Sequence, residues 1–285
     1  MNAIEIRNLC KKYSKISNES FKLDNISLDL PYGCIMGLVG ENGAGKSTTI
    51  KLILDIIKRD SGSIKLFGKE VSASSSKLRD DVGVVLDEPG FPEAFNAKNI
   101  NNVMKHTYAN WDEERFFSLL SRFDVDKSKK FKALSKGMKM KVSIAVALSH
   151  NAKLLILDEP TSGLDPVIRD EIVDIFYEFT RYHSNSILIS SHIVSDLEKL
   201  CDYIAFIHKG KILLCDEKDR LLEKYCVIRC SAEDIVKINA EAIKNKKESP
   251  YGVEAIVERE AVPAGFDISP VGIEELFVSV IRGGK

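Results

Sequence analysis

The chain has 285 residues, enough for one large domain or for a large domain and a small one. Hydrophobic residues make up 44% and charged residues 29%, the balance of an ordinary globular protein rather than a disordered or membrane-spanning one. The formal net charge of -1 supplies no global field toward nucleic acid or an anionic membrane, so any such contact needs a local patch.

No apolar run approaches the roughly 18 residues of a spanning helix. The N-terminal MNAIEIRNLCKKY has no apolar stretch of signal-peptide length behind its charges, which predicts a cytosolic chain. The six cysteines are scattered without a CxxC pair and read as reduced structural thiols.

Along the chain, Ala3–Leu9 and Ile26–Leu30 alternate apolar and polar residues as half-buried strands do. Ile35–Val39 is almost continuously apolar, the mark of a strand covered on both faces. Helical spacing follows over Ser47–Arg59, and Ser72–Ser76 is a short polar loop. Val82–Leu86, Leu154–Leu157, Ile187–Ile189 and Tyr203–Ile207 are further buried-strand candidates, and Asp165–Tyr182 carries a helical apolar face with Pro166 in its first turn. This alternation implies a parallel, helix-covered sheet.

Between about 88 and 150 helical segments such as Asp112–Phe123 and Met138–Ser149 succeed one another, as in a helical insertion. Asp112, next to the sole tryptophan Trp111, reads as a helix cap. Phe91, Pro92 and Phe95 are either subdomain core or part of a groove for a partner's helix. The basic run Lys127–Lys132 is either a solvated face or a contact for anionic headgroups. Beyond 215, Cys226–Cys230 and Val253–Glu258 read as strands, Ala232–Lys246 as a charged helix and Gly272–Ile281 as a short apolar helix.

Two segments carry chemistry. Gly40-Glu-Asn-Gly-Ala-Gly-Lys46-Ser47 fits G-x-x-x-x-G-K-[ST] between a buried strand and a helix. Glycines let successive N–H groups turn into one concavity, and the helix start favours an anion. Lys46 would reach the β- and γ-phosphates of ATP, and Ser47 would ligate Mg²⁺. The second is the apolar strand Leu154–Leu157 ending in Asp158-Glu159. Adjacent acids at a buried strand end are costly unless a cation or a reaction uses them. In a nucleotide enzyme Asp158 would hold Mg²⁺ and Glu159 would activate the attacking water.

Between these lies Leu134-Ser-Lys-Gly-Met138, and after them come Ser162-Gly-Leu-Asp165 and Ser190-Ser-His192. In that order the motifs resemble ATP-binding subunits of ABC transporters over residues 3–214. The resemblance implies an α/β P-loop NTPase of ABC type, with an inserted helical subdomain (about 88–150). Residues 215–285 would then form a small α+β appendage.

Position by position, the resemblance places Tyr13 against adenine, with a core tyrosine as the other reading. It places Asn42, Gly43, Ala44, Gly45 and Thr48 with Lys46 and Ser47 around the phosphates. Ser135, Lys136 and Gly137 would serve the ATP of the opposite subunit. His192 would hold the γ-phosphate and the water, and Asp165 would communicate across the dimer.

The family's usual LSGGQ is here Leu-Ser-Lys-Gly-Met, and its usual glutamine after the VGVV-like strand is Asp87. Asp87 can ligate Mg²⁺ but cannot donate as an amide does. These two features are similar to bacterial exporters of peptide toxins and antimicrobials, and to transporters of the bacitracin-resistance kind. The implied partners are a separate transmembrane permease and a second ATPase subunit, identical or paralogous, at the cytoplasmic face of the membrane, with no nucleic acid. A soluble ABC ATPase acting on ribosomes or DNA is the alternative. The first usually carries two ATPase units, and the second a long coiled coil for which no heptad run is present.

Overall fold

The structure, a computed structural model, describes residues 1–13, 21–72, 78, 80–88, 90–181 and 185–283. Strands β1 (Asn2–Lys12) and β2 (Lys22–Pro31) pair antiparallel. β3 (Ile35–Val39) leaves them for a second sheet and leads into α1 (Lys46–Ile53). β4 (Ser61–Leu66) and β5 (Lys69–Glu70) return to the first sheet, whose order is β2-β1-β4-β5. After β6 (Val82–Val85) come α2 (Ala97–Thr107), α3 (Glu113–Arg122) and α4 (Lys136–Leu148), with no strand among the described residues between β6 and β7 (Leu154–Asp158).

Next follow α5 (Pro166–Thr180), β8 (Ser186–Ser191), α6 (Val194–Leu200), β9 (Tyr203–His208) and β10 (Lys211–Glu217). They complete a second sheet in the order β10-β9-β3-β8-β7-β6, parallel except for β10. The remainder is α7 (Lys218–Lys224), β11 (Tyr225–Cys230), β12 (Ile243–Ser249), β13 (Gly252–Glu258), β14 (Asp267–Pro270) and α8 (Ile273–Gly283), with a third sheet in the order β12-β13-β11-β14.

The central strands are covered on both faces, which is why they lack polar alternation. Along β3, Met36 and Leu38 face a core shared with Ile4, Ile6, Ile50 and Ile53, between the first and second sheets. Ile35 and Val39 face the opposite core with Phe176, Leu197 and Phe206. That second core runs on into Leu276 and Phe277 of α8, where Phe277 meets Phe206 edge-on at 5.2 Å. The third sheet buries Cys226, Ile228 and Val257 in a smaller core of its own.

Several expectations need correction. The charged helix over Ala232–Lys246 is not formed: short 3-10 turns cover Ile235–Lys237 and Ala240–Ala242, and β12 starts at Ile243. Ile235, Ile238 and Ala242 are buried at spacings that suit a helix. Asn239, however, accepts a bond from Glu241 N and stops the turn, and β13 captures the following segment. The helix expected to Arg59 stops at Ile53, with Asp55 in the left-handed region at φ 54°. The N-terminal strands join a separate antiparallel sheet rather than the parallel one.

Phe91 and Phe95 pack against the core, and Phe91 meets Phe131 edge-on at 5.4 Å. The basic run 127–132 is exposed apart from buried Phe131. Among the described residues no helix is long and apolar enough to cross a membrane. Ala73–Ser76 of the expected polar loop and the Tyr182 end of the expected helix lie outside the described residues.

Candidate nucleotide site

The site forms where β3, β7 and β8 end side by side. At the end of β3 the chain turns so tightly that a Cβ on Gly40 would lie 2.5 Å from Ile207 O. Gly45, at φ 118°, precedes α1, and a side chain there would strike Leu23 at 2.8 Å. These constraints fix the loop 40–47 against β9 and leave the first N–H groups of α1 without partners inside the helix. Lys46 is buried, and its ammonium donates to Gly40 O at 2.6 Å and Glu41 O at 3.3 Å.

On β7, Asp158 is buried and accepts from Ser190 Oγ at 2.6 Å, a contact set by the parallel register that pairs Asp158 with Ser190. Glu159 leaves the strand at φ 52°, uncommon for a side chain of its size, and its N–H donates to Ser190 O at 3.1 Å. The turn aims its carboxylate inward. Oε1 lies 3.1 Å from Lys46 Nζ, and Oε2 lies 2.7 Å from His192 Nδ1 and accepts from His192 N at 3.3 Å. His192 is half exposed at the end of β8, so its ring stands between the carboxylate and solvent.

A cavity of about 360 Å³ opens beside these groups and is lined by Phe21, Asn42, Lys46, Ser47, Asp87 and Glu159 among others. Gly43, Gly45 and Thr48 also line it, whereas Ala44 is buried beneath the loop. Phe21 was not singled out from the sequence; one aromatic before an alternating strand gives no signal that separates a ligand wall from core. Tyr13, the residue the resemblance selected, is 40% exposed, and its ring centroid lies 6.5 Å from that of Phe21.

The remaining candidates lie elsewhere. Ser135 caps α4, its Oγ accepting from Met138 N at 3.2 Å. Asp165 caps α5, accepting from Ile168 N at 3.1 Å, with Pro166 as the first helical residue. Lys136 Nζ contacts Asp87 Oδ1 of its own chain at 3.3 Å, and Gly137 lies against Leu164. Asp196 on α6 was unremarked in the sequence; it receives Thr161 Oγ1 at 3.0 Å and Arg169 at 3.5 Å, tying the 161–165 loop to the helix that follows His192.

The ABC transporter family profile matches residues 23–162, the span that holds the phosphate loop and the acidic strand. The chain is 37% identical to the lantibiotic transport ATP-binding protein SrtF of Streptococcus pyogenes, over 76% of this chain and 91% of that one. The chain belongs to the ABC transporter family. It is an ATP-binding, ATP-hydrolysing cassette of that family.

The ATP-binding protein YtrB of Bacillus subtilis is 28% identical to this cassette over 99% of both chains, so the similarity extends through the third sheet. The bacitracin transport ATP-binding protein BcrA of Bacillus licheniformis is 34% identical over 70% of the cassette. Among solved structures, an ATP-binding subunit of an ABC transporter superposes with a TM-score of 0.69 at 28% identity, covering 77% of this chain and 91% of that one. A dimeric cassette bound to ADP and phosphate superposes at 0.68 with 20% identity, over 75% and 98%, and shows the shared fold.

Proposed function

We propose that this cassette powers export through a separate transmembrane permease, with peptides of the antimicrobial class as cargo. The observation that carries the reading is the convergence of Lys46, Ser47, Asp87 and Glu159 on one cavity. Similarity to transport ATP-binding proteins named for a lantibiotic and for bacitracin supports the cargo class. Residues 1–214 form the ATPase domain in this reading, and 215–285 an appendage to it.

Two cassettes, identical or paralogous, pair head to tail at the cytoplasmic face of the membrane. Each ATP lies between the phosphate loop of one chain and Ser135 and Gly137 of the other, and Asp165 contacts across the dimer. Ser47, Asp158 and Asp87 offer a hydroxyl and carboxylates, hard oxygen donors that suit Mg²⁺. The ion would neutralise phosphate charge when bound. Glu159 takes a proton from the attacking water, while His192, hydrogen-bonded to it, orients the carboxylate and faces the γ-phosphate.

The test is purification from native membranes. A multi-span protein should co-purify, and ATP added to vesicles holding both should drive accumulation of a lantibiotic-type peptide. Recovery of the cassette with ribosomes or DNA, and none with membranes, would overturn the reading.

A further inference from the structure

Lys136 and Asp87 occupy two of the positions where the sequence departs from the usual pattern of its family, and the structure puts them in contact at 3.3 Å. Asp87 follows β6 and lines the chain's own nucleotide cavity. Lys136 is the first residue of α4, next to the capping Ser135. The lysine stem also runs along the turn after β7: a Cβ on Gly163 would lie 3.7 Å from Lys136 Cδ and 4.0 Å from its Nζ. One side chain therefore reaches from its own motif to loops of two others in a single chain. A glycine at 136 would reach neither neighbour, and an amide at 87 would present no charge to an ammonium.

Both side chains are about half exposed, 53% for Lys136 and 49% for Asp87. A pair so open to water adds little to global stability. What it can do is bias the position of the start of α4, where Met138 N donates to Ser135 Oγ at 3.2 Å and Lys139 N to Ser135 O at 2.9 Å, relative to the strand end that carries Asp87.

We propose that Lys136 is a positioning residue that acts within its own chain. Its pairing with Asp87 ties the 135–137 loop to the wall of the chain's own nucleotide cavity. The inference rests on the reading above for its functional consequence: the loop offered to the partner's ATP is set by the state of the chain's own site. It assigns Lys136 a task in cis, where the family resemblance implied only contact in trans.

Hydrogen exchange on the nucleotide-free chain tests the tie without any assumption about function. Asp87→Asn and Lys136→Met should each speed exchange of the backbone amides of residues 136–139 several-fold, with no comparable change in α5 or β8 and little change in melting temperature. The charge swap Asp87→Lys with Lys136→Asp should restore slow exchange. Unchanged exchange in both single variants would overturn the proposal.

ATP-driven dimerisation then reads the consequence. Lys136→Met should weaken it about fivefold in the wild-type background and little in the Asp87→Asn background, as expected when two residues share one contact. An equal loss from Lys136→Met in both backgrounds would instead place Lys136 on the partner's phosphate and overturn the cis assignment. A wild-type chain that never dimerises with ATP would sink the proposed head-to-tail cycle, while the exchange result would still decide the tie.

Discussion

The ammonium of Lys46 and the carboxylate of Glu159 lie 3.1 Å apart, both largely withdrawn from water. The cation proposed to bind phosphate is thus paired with the acid that the proposed reaction needs as a base. In that reading a γ-phosphate at Lys46 competes with Glu159 for the same ammonium. Glu159 then keeps His192, at 2.7 Å, as its remaining polar side-chain partner. The proposed nucleotide binding and the release of the proposed base would then be one event.

Glu159→Gln should separate the two roles. Hydrolysis should fall by at least about a hundredfold, the scale of losing a general base. The nucleotide-free variant should also lose about 1–3 kcal/mol of stability, because a buried ammonium keeps only carbonyl and amide partners. ATP should restore that loss, so the gain in melting temperature on adding ATP should exceed the wild-type gain. Turnover near wild type, or equal ATP-induced gains, would remove Glu159 from this position in the scheme.

Ser135 combines a structural and a proposed functional task, and substitutions can divide them. Ser135→Ala removes the cap on α4 and should cost about 1 kcal/mol. Ser135→Asp keeps a capping oxygen but sets a negative charge where the partner's phosphate is proposed to lie. It should melt close to wild type and bind ATP, yet fail to form ATP-dependent dimers by light scattering. Normal dimerisation of the Asp variant would mean that this helix start faces no phosphate.

Asp87 lines the cavity with Ser47 and Glu159, and its carboxylate would repel a γ-phosphate that lacked a cation. Asp87→Gln should therefore weaken the dependence of ATP affinity on Mg²⁺. A titration of ATP affinity against Mg²⁺, with and without the permease, reads this directly. Superimposable curves for wild type and variant would reduce Asp87 to a loop acid.

His150, buried at the end of α4, predicts an acid-sensitive fold. Its ring stacks on Tyr108 at 3.9 Å, and its two nitrogens lie 3.3 Å from the carbonyls of Val146 and Val82. Burial holds its pKa below 6.5, outweighing the opposing pull of those carbonyls and of Asp80 and Asp81. The unfolded chain takes up the proton more readily than the folded one. Stability is therefore complete above about pH 6.5 and declines as pH falls, by at most about 1.4 kcal/mol per pH unit for one proton. His150→Phe should keep a stacked ring, lower the overall stability and flatten this part of the pH profile. Urea melts between pH 5 and 7.5 would show it; an unchanged slope would assign the acid sensitivity to other groups.

Sequence alone determined the elements whose burial or spacing is extreme. Ile35–Val39 and the Leu154 strand had to be covered on both faces, because five consecutive residues of each are buried and hydration would be lost along the whole run. The phosphate loop was legible because its glycines and lysine are fixed by backbone geometry and phosphate charge, both local requirements. The cap at Asp112 was legible for the same reason, its Oδ1 accepting from Arg115 N at 2.8 Å.

Tertiary structure decided what depends on contacts between distant segments. Apolar spacing over 232–246 suits a helix, yet pairing with β13 made its last four residues a strand, since ladder bonds outweigh weak propensity. β1 and β2 alternate as strands in either sheet would, and only the pairing of β1 with β2 and β4 placed them outside the parallel one. Phe21 entered the cavity wall, and Lys136 met Asp87 across 49 residues of chain, through packing that no local pattern records. A motif reveals which groups a reaction needs; which of them face one another before the ligand arrives is set by the packing of whole layers, where each side chain's partner is chosen by residues far away in sequence.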